Sequence, residues 1–158
     1  MTLEILKTRG GDIPSVGLGT WTLRGSEGAS LVASAIRAGY RHVDTAASYG
    51  NEEAVGDGIR ASGVAREAVH VTTKIPRSML AAKDLRRSVE ESLRRLRLDH
   101  VDLVLIHWPS ATVPLAETIG AMNAVREAGL ARQIGVSNFT AALVDEAARL
   151  SAHPLSCN

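Results

Sequence analysis

Four polar residues of this sequence have side chains that together could move a proton: Asp44, Tyr49, Lys74 and His107. If they meet, the Lys74 ammonium would pair with Asp44, and its remaining positive field would make the Tyr49 phenol a better acid. His107 could donate a hydrogen bond to a carbonyl oxygen and hold that oxygen at the phenol. The residue types therefore predict a site that gives a proton to a carbonyl group.

This set holds a proton donor without a nucleophile of its own. It contains no nucleophile beside an activating base and no three residues with metal-ligand spacing. The nucleophile would then be brought in, and hydride from a bound nicotinamide is the obvious candidate. An alternative is a Schiff-base lyase, in which the amine of Lys74 attacks the carbonyl carbon itself.

Each of the four residues also has a structural interpretation. Asp44 and Lys74 could form an ordinary ion pair. His107 could be a core histidine with satisfied hydrogen bonds, and Tyr49 could be an aromatic residue of a loop. All of these interpretations would have to hold together, which favours a functional site.

Residues near these four carry weaker signals. Trp21 and Trp108 fall in loops beside them and could either line a ligand site or pack in the core. His42 is expected on the opposite face of its strand from Asp44, in a structural role. Cys157 is most simply a small buried residue.

The segments that would position these residues alternate between a helical period and short β-branched runs. Helices are predicted at about 27–38, 52–62, 82–97, 115–128 and 140–150, and strands at about 41–44, 69–73, 101–106, 132–136 and 155–157. Each strand follows a helix, which is typical of parallel βα units. Before these units, Leu3–Lys7 and Ile13–Leu18 flank a glycine-containing turn and predict a hairpin.

Several predicted helices have recognisable ends. Asn51 precedes Glu52 and Glu53, which predicts a side-chain cap and two carboxylates at the positive end of a helix dipole. Pro114 can begin the fourth helix, and Thr140 can cap the fifth. Glycines expected in a left-handed conformation follow three helices: Gly39, Gly63 and Gly129.

Five parallel βα units fit either a doubly wound sheet or part of a (β/α)8 barrel, which typically takes about 250 residues. In both α/β folds, ligands lie beyond the carboxyl ends of the strands. Polar residues finish four successive predicted strands, at Asp44, Lys74, His107 and Asn138. A closed barrel fits this pattern better, because all of its strand ends meet at one mouth.

Charge and composition limit the partners of the chain. The sequence has 18 Lys and Arg against 17 Asp and Glu, interleaved along its length, so no basic patch for nucleic acid or anionic lipid is evident. No stretch approaches the roughly 20 apolar residues that span a bilayer, and residues 1–4 lack the features of a signal peptide. A single cysteine cannot form an internal disulfide. We therefore expect a cytoplasmic protein whose partner is a small molecule.

Several stretches of the sequence resemble the signature motifs of the aldo-keto reductases. GYRHVDTAASYGNEEAVGDGIR resembles the first signature of the family, and VTTKIP resembles the one around its catalytic lysine. LDHVDLVLIHWP and IGVSNFT resemble the motifs after its third and fourth strands. The resemblance runs from VGLGTW at residues 16–21 to the last residue, and it is strongest to the bacterial 2,5-diketo-D-gluconate reductases.

This resemblance implies the reduction of an aldehyde or ketone, such as a diketo sugar acid, to an alcohol by NADPH. It implies that Tyr49 is the proton donor, that Asp44 and Lys74 assist it, and that His107 orients the carbonyl group. The cofactor-binding residues that it implies are Gly19, Thr20, Asp44, Ser137 and Asn138. The substrate-binding residues that it implies are Trp21, Tyr49, His107 and Trp108.

The resemblance also implies a (β/α)8 TIM barrel of which residues 1–158 form one domain, with the hairpin at 3–18 and about five βα units from about residue 26. Strands six to eight and most of the residues that hold the adenosine phosphate of NADPH would be missing. An open sheet exposes two edges and an apolar inner face, so we expect the chain either to associate with a copy of itself or to be a piece of a longer protein. A catalytically inactive fragment or interaction module is therefore the alternative to an active reductase.

Overall fold

A computed structural model of the protein describes residues 4–158. The chain opens with an antiparallel hairpin made of β1 (Ile5–Lys7) and β2 (Asp12–Pro14). This confirms the predicted hairpin in outline, although Leu3 of its first strand lies outside the described residues. The second predicted strand, 13–18, is wrong as one unit, because its last residue belongs to a separate strand, β3 (Leu18–Gly19), that pairs in parallel with the next strand.

Five parallel strands form the main sheet in the order β3-β4-β5-β6-β7. The further strands are β4 (His42–Asp44), β5 (His70–Ile75), β6 (Val101–Ile106) and β7 (Ala131–Val136), and the helices are α1 (Gly25–Arg37), α2 (Glu52–Ala61), α3 (Ala82–Leu96), α4 (Leu115–Glu127) and α5 (Ala141–Leu150). Each helix packs against the helix that follows it in the chain. Since the strand order never reverses, the sheet has no switch point, and the doubly wound alternative is excluded.

Residues 155–157 do not form the predicted fifth strand of the sheet. They are extended beside β7, where Ser156 donates its N–H to the carbonyl oxygen of Ile134 at 2.9 Å and Cys157 accepts from the N–H of Val136 at 3.0 Å. Two hydrogen bonds hold the segment in place, but the ladder is too short to count as a strand.

The two faces of the sheet differ in what covers them. Side chains such as Val43, Val71 and Ile134 are fully buried against the helix layer. The apolar stripe predicted for α3 is buried there too, with Leu85, Val89, Leu93 and Leu96 at 6% exposure or less. The inner face carries a smaller apolar cluster, which consists of Ile13, Leu103 and Leu105 with Cys157 beside it.

His42 lies on the same face of β4 as Asp44, so the expectation that they face opposite sides was wrong. Successive side chains of a strand alternate between the two faces, so residues two apart share a face. Both residues line a cleft on the inner face of the sheet, beside Leu103 and Leu105, which is called the inner cleft below. The ring of His42 lies near the carbonyl oxygen of Pro14, at 3.3 Å, and near the hydroxyl of Thr72, at 3.0 Å. These contacts fit the structural role that the sequence predicted.

Asn51 does not cap α2 with its side chain, contrary to the prediction. Its amide donates to the carbonyl oxygens of Thr20, at 2.6 Å, and Leu23, at 2.9 Å, and its oxygen accepts from the Thr45 hydroxyl at 3.1 Å. The predicted cap at Thr140 is confirmed, since its hydroxyl accepts from the N–H of Leu143. The glycines expected to be left-handed are so, with φ of 115° at Gly39, 73° at Gly63 and 75° at Gly129.

Glu52 is buried, at 1% exposure, although the sequence suggests an ordinary acidic residue in the first turn of a helix. Its carboxylate pairs with Arg95 of α3 at 2.7 Å and accepts from the Thr73 hydroxyl of β5 at 2.6 Å. Burying an unpaired carboxylate would cost several kcal/mol, so this pairing is what makes its position tenable. Through these two contacts the Glu52 carboxylate links α2 to α3 and to β5, on the face of the sheet that the helices cover.

We predict that Glu52→Gln lowers the free energy of unfolding by about 2–4 kcal/mol, because it removes the buried carboxylate that pairs with Arg95 at 2.7 Å and leaves the guanidinium only a longer contact with Glu91, at 3.7 Å. The loss should fall near the low end of the range for broken buried pairs, since 28% of the Arg95 side chain is exposed. Urea denaturation measures the change. Glu53→Gln, at the exposed neighbouring position, is the control and should stay within about 0.5 kcal/mol of the unmodified protein. Equal effects of the two substitutions would contradict the prediction.

Candidate active site

The carboxyl ends of the parallel strands bring the four predicted catalytic residues to one end of the sheet. Asp44 is the last residue of β4, Lys74 lies in β5, and His107 directly follows β6. Tyr49 belongs to a single 3-10 turn, Ala47–Tyr49, in the loop after β4. Because β4, β5 and β6 are neighbours in the sheet, these side chains come within contact distance of one another.

Lys74 is the centre of this group. Its side chain is buried, and its ammonium donates to Asp44 Oδ2 at 2.7 Å, to the carbonyl oxygen of Thr45 at 2.9 Å and to the Tyr49 hydroxyl at 3.4 Å. Three acceptors match the three N–H bonds of an ammonium group. The Asp44 carboxylate compensates the charge, which could not otherwise be buried at small cost.

Tyr49 lies between Lys74 and His107. The Lys74 nitrogen is 5.1 Å from the centre of the Tyr49 ring, and the rings of Tyr49 and His107 meet edge to face with their centres 5.8 Å apart. The hydroxyl of Ser48 is 3.2 Å from Nδ1 of His107. An oxygen atom placed beside Tyr49 would therefore have the phenol and the imidazole within reach.

The pKa of His107 lies below its ordinary value of 6.5. Partial burial is the main cause, because it disfavours the charged form, and the Lys74 ammonium lowers the pKa further. The Asp44 carboxylate opposes both effects. At neutral pH the imidazole is therefore neutral, with one N–H donor and one acceptor nitrogen.

Ser137 and Asn138 follow β7 at the same end of the sheet. Asn138 has a left-handed backbone, with φ of 61°, and its amide donates to the carbonyl oxygen of His107 at 2.8 Å and to the Ser137 hydroxyl at 3.1 Å. Within residues 4–158, Oδ1 of Asn138 accepts no hydrogen bond and the Ser137 hydroxyl donates none. The Ser137 O–H and Asn138 Oδ1 therefore remain available as one donor and one acceptor. This pair complements the carbonyl oxygen and the N–H of a carboxamide group.

Gly19 and Thr20 differ in what they offer a ligand. Gly19 pairs with Asp44 in the sheet and lines the inner cleft of about 450 Å³, and no other side chain fills the space where its Cβ would point. Thr20 is completely buried, and both its N–H and its hydroxyl donate to the carbonyl oxygen of Asp44 at 3.0 Å. Its side chain therefore holds the backbone of Asp44 and does not reach the cleft.

Both tryptophans stand at the surface of this end of the sheet. Trp21 is 68% exposed and Trp108 is 47% exposed, so core packing is excluded for either ring. The guanidinium of Arg77 lies 5.9 Å from the centre of the Trp108 ring. Arg77 is exposed and forms no ion pair within residues 4–158, which leaves an uncompensated positive charge beside Trp108.

Sequence reasoning did not find Ser48, Thr45 or Arg77 in this group. Ser48 contacts His107 through its hydroxyl, and Thr45 contacts Lys74 through its backbone carbonyl oxygen. No sequence pattern identifies either contact. Arg77 lies two residues after the end of β5, and this position could have been recognised as part of the loops at the carboxyl ends of the strands. Cys157 was expected to be a simple buried residue, yet it is only partly buried and lines the inner cleft.

Within residues 4–158, no three His, Cys, Asp or Glu side chains are grouped so that they could bind a metal ion. None of the helices in this part of the chain combines the length and apolar character that a membrane crossing demands.

Comparisons of the sequence and of the fold with known proteins identify the same family. Residues 15–158 match the model of the Aldo/keto reductase family. Methylglyoxal reductase DkgB of Salmonella typhi is 46% identical over 137 residues, which are 85% of this chain and 51% of that protein. The chain spans about half the length of the curated relatives that it matches.

Solved structures agree in fold. A putative 2,5-diketo-D-gluconic acid reductase B is 46% identical with a TM-score of 0.95, over 98% of this chain and 55% of its own. An aldo-keto reductase of Bombyx mori in complex with NADP is 37% identical with a TM-score of 0.89, over 99% of this chain and 57% of its own.

We predict that substitutions of the ion pair move the pKa of His107 in opposite directions. Lys74→Met should raise it, because a nearby positive charge is removed, and Asp44→Asn should lower it, because a negative charge is removed. NMR titration of the imidazole resonances measures both changes. Lys83→Met, which removes a charge from an exposed position of α3, is the control and should leave the titration curve unchanged. Shifts of the same sign in both site variants would refute this electrostatic account.

Proposed function

Since this chain belongs to the aldo/keto reductase family, we propose that the complete protein reduces an aldehyde or a ketone to an alcohol, with NADPH as cofactor and Tyr49 as proton donor. The observation that carries the proposal is the contact of the buried Lys74 ammonium with both Asp44 and the Tyr49 hydroxyl. We place the reaction in the cytoplasm, where the thiol of the single cysteine would stay reduced.

The carbonyl oxygen of the substrate would lie between Tyr49 and His107. The neutral imidazole donates its N–H to that oxygen, which fixes the direction of the carbonyl group and stabilises negative charge as it develops. A positively charged imidazole would compete with Tyr49 as an acid, so a lowered pKa of His107 suits a purely orienting role.

Proton transfer then takes place between two oxygen atoms. The O–H bond of Tyr49 breaks, and the proton forms the hydroxyl group of the product alcohol. The phenolate that remains is stabilised by the Lys74 ammonium, which already lies 3.4 Å from this oxygen. Asp44 holds the ammonium there, and water returns a proton to Tyr49 after the product leaves.

The residues after β7 fit a nicotinamide carboxamide. The Ser137 hydroxyl can donate to its carbonyl oxygen, and Oδ1 of Asn138 can accept from its amide, so these two residues would hold the carboxamide at this end of the sheet. Nicotinamide bound in this way supplies hydride to the carbonyl carbon. Gly19 leaves room beside the ring, whereas Thr20 contributes by holding the Asp44 backbone. The choice of NADPH follows from the NADP and NADPH complexes of similar proteins.

An acidic carbonyl compound, such as a diketo sugar acid, is the substrate that the mouth of the site suits best. Trp21 and Trp108 provide two exposed aromatic walls, which would hold the carbon chain of the substrate. Arg77 adds a positive charge that no carboxylate of residues 4–158 compensates, and a guanidinium binds a carboxylate through two parallel hydrogen bonds. The similar structure named for a diketo sugar acid agrees with this choice.

Two alternatives make different predictions. A Schiff-base lyase needs a lysine nitrogen that is free to attack a carbonyl carbon, yet the Lys74 nitrogen is engaged by Asp44 at 2.7 Å, by Thr45 and by Tyr49. Borohydride trapping of a substrate on Lys74 would revive that alternative. A non-catalytic interaction module would keep the same side chains but bind no cofactor. Calorimetric titration with NADPH separates it from a reductase, since a folded protein that binds no NADPH would favour the module.

We predict that Tyr49→Phe lowers kcat/KM for carbonyl reduction by about 10²- to 10⁴-fold, because the general acid is lost. The affinity for NADPH, measured by fluorescence quenching, should stay the same. Tyr40→Phe changes the other tyrosine of the sequence and is the matched control, for which full activity is expected. A Tyr49→Phe variant that reduces carbonyl compounds at the normal rate would rule out Tyr49 as the proton donor.

We further predict that Arg77→Gln lowers kcat/KM about 2- to 5-fold for a carbonyl substrate that carries a carboxylate, the effect of one exposed ion pair. An uncharged carbonyl substrate should be reduced at an unchanged rate. Raising the salt concentration should shrink the difference between the two substrates in the unmodified protein. Arg87→Gln, on the exposed face of α3, is the control, and equal losses for both substrates would contradict the assignment.

A further inference from the structure

Ser48 makes a hydrogen bond that the proton transfer itself does not use. Its hydroxyl is 3.2 Å from Nδ1 of His107, although the two residues are 59 positions apart in the chain. The Ser48 side chain makes no other hydrogen bond within residues 4–158. Ser48 is therefore the one described side chain that contacts the imidazole through a ring nitrogen.

A neutral imidazole exists in two tautomers, and the hydrogen bond at one nitrogen decides which nitrogen carries the proton. His107 is in its neutral form at neutral pH, because burial and the Lys74 ammonium disfavour the charged form. If Nδ1 carried the proton, Nε2 would present a lone pair. A lone pair facing a carbonyl oxygen repels it instead of orienting it.

Resting on the proposed function for the role of Nε2, we propose that Ser48 is a positioning residue: its hydroxyl donates to Nδ1 of His107 and fixes the Nε2–H tautomer. The Nδ1 side of the ring is occupied by Ser48, so Nε2 is the nitrogen left to meet a substrate. In this tautomer Nε2–H is the single donor of the ring.

The neighbouring contacts support this role. Asn138 donates to the backbone carbonyl of His107 at 2.8 Å, so the residue is held at its main chain as well as at its ring. Ser48 and Tyr49 are consecutive residues of one 3-10 turn, which the N–H of Tyr49 closes on the carbonyl oxygen of Ala46 at 3.0 Å. The same turn therefore sets the position of the proton donor and the tautomer of the imidazole.

NMR spectroscopy of the unmodified protein tests the tautomer directly. The two ring nitrogens of a neutral imidazole have widely separated ¹⁵N chemical shifts when one of them holds the proton. We expect Nε2 of His107 to show the protonated shift and Nδ1 the unprotonated one. An Nδ1–H tautomer, or an average of both, would overturn the proposal without any variant being made.

Substitution of Ser48 tests whether it is the cause. Ser48→Ala should bring the two ¹⁵N shifts toward each other and lower kcat/KM about 3- to 10-fold, the effect of one net hydrogen bond. Ser48→Thr keeps a hydroxyl and should restore both measurements. Ser78→Ala, which removes an exposed hydroxyl from the turn after β5, should change neither. A Ser48→Ala variant with unchanged ¹⁵N shifts would overturn the proposal even if its activity fell.

The NMR result also separates this inference from the proposed function, because it needs no turnover. A tautomer that depends on Ser48 in a protein that reduces no carbonyl compound would reject the reductase and leave the hydrogen-bond assignment standing. Active reduction with a tautomer that is independent of Ser48 would do the reverse.

Discussion

The burial of one ammonium group is the constraint on which the rest of this site depends. Lys74 is 8% exposed, and a charge in that position needs a counter-charge and a full set of acceptors. Asp44 and the carbonyl oxygen of Thr45 supply them from the neighbouring strand and the loop after it. The third N–H reaches the Tyr49 hydroxyl, so the group that satisfies the lysine is also the group that it can activate.

Buried hydrogen bonds of the surrounding loops keep those acceptors in place. Thr20 donates twice to the carbonyl oxygen of Asp44, which fixes the end of β4 from the side of β3. Asn51 then ties Thr20 and Thr45 together through its side-chain amide. Thr20 and Asn51 thus restrain the backbone around Asp44 and Thr45, the two residues that compensate and hold the Lys74 ammonium.

The sequence determined the order and type of most elements and the residues that finish the strands. Apolar spacing is a local property, so the helices and strands β4 to β7 could be located to within two residues of their observed bounds. Asp44, Lys74 and His107 could be placed together because parallel strands in chain order must bring their carboxyl ends to one edge. The two-residue strand β3 was missed, since so short a segment has no periodicity to recognise.

Tertiary structure alone decided which partner each polar side chain takes. Asn51 has the sequence context of a helix cap, but in the folded chain its amide donates instead to the carbonyl oxygens of Thr20 and Leu23 in the loop after β3, where Asn51 is buried. Glu52 has the context of a solvent-exposed acid, and only the packing of α3 brings Arg95 to it. Ser48 meets His107 across 59 residues. Such pairings depend on the distances and burial that the whole fold creates, and these are not encoded in any local stretch of the chain.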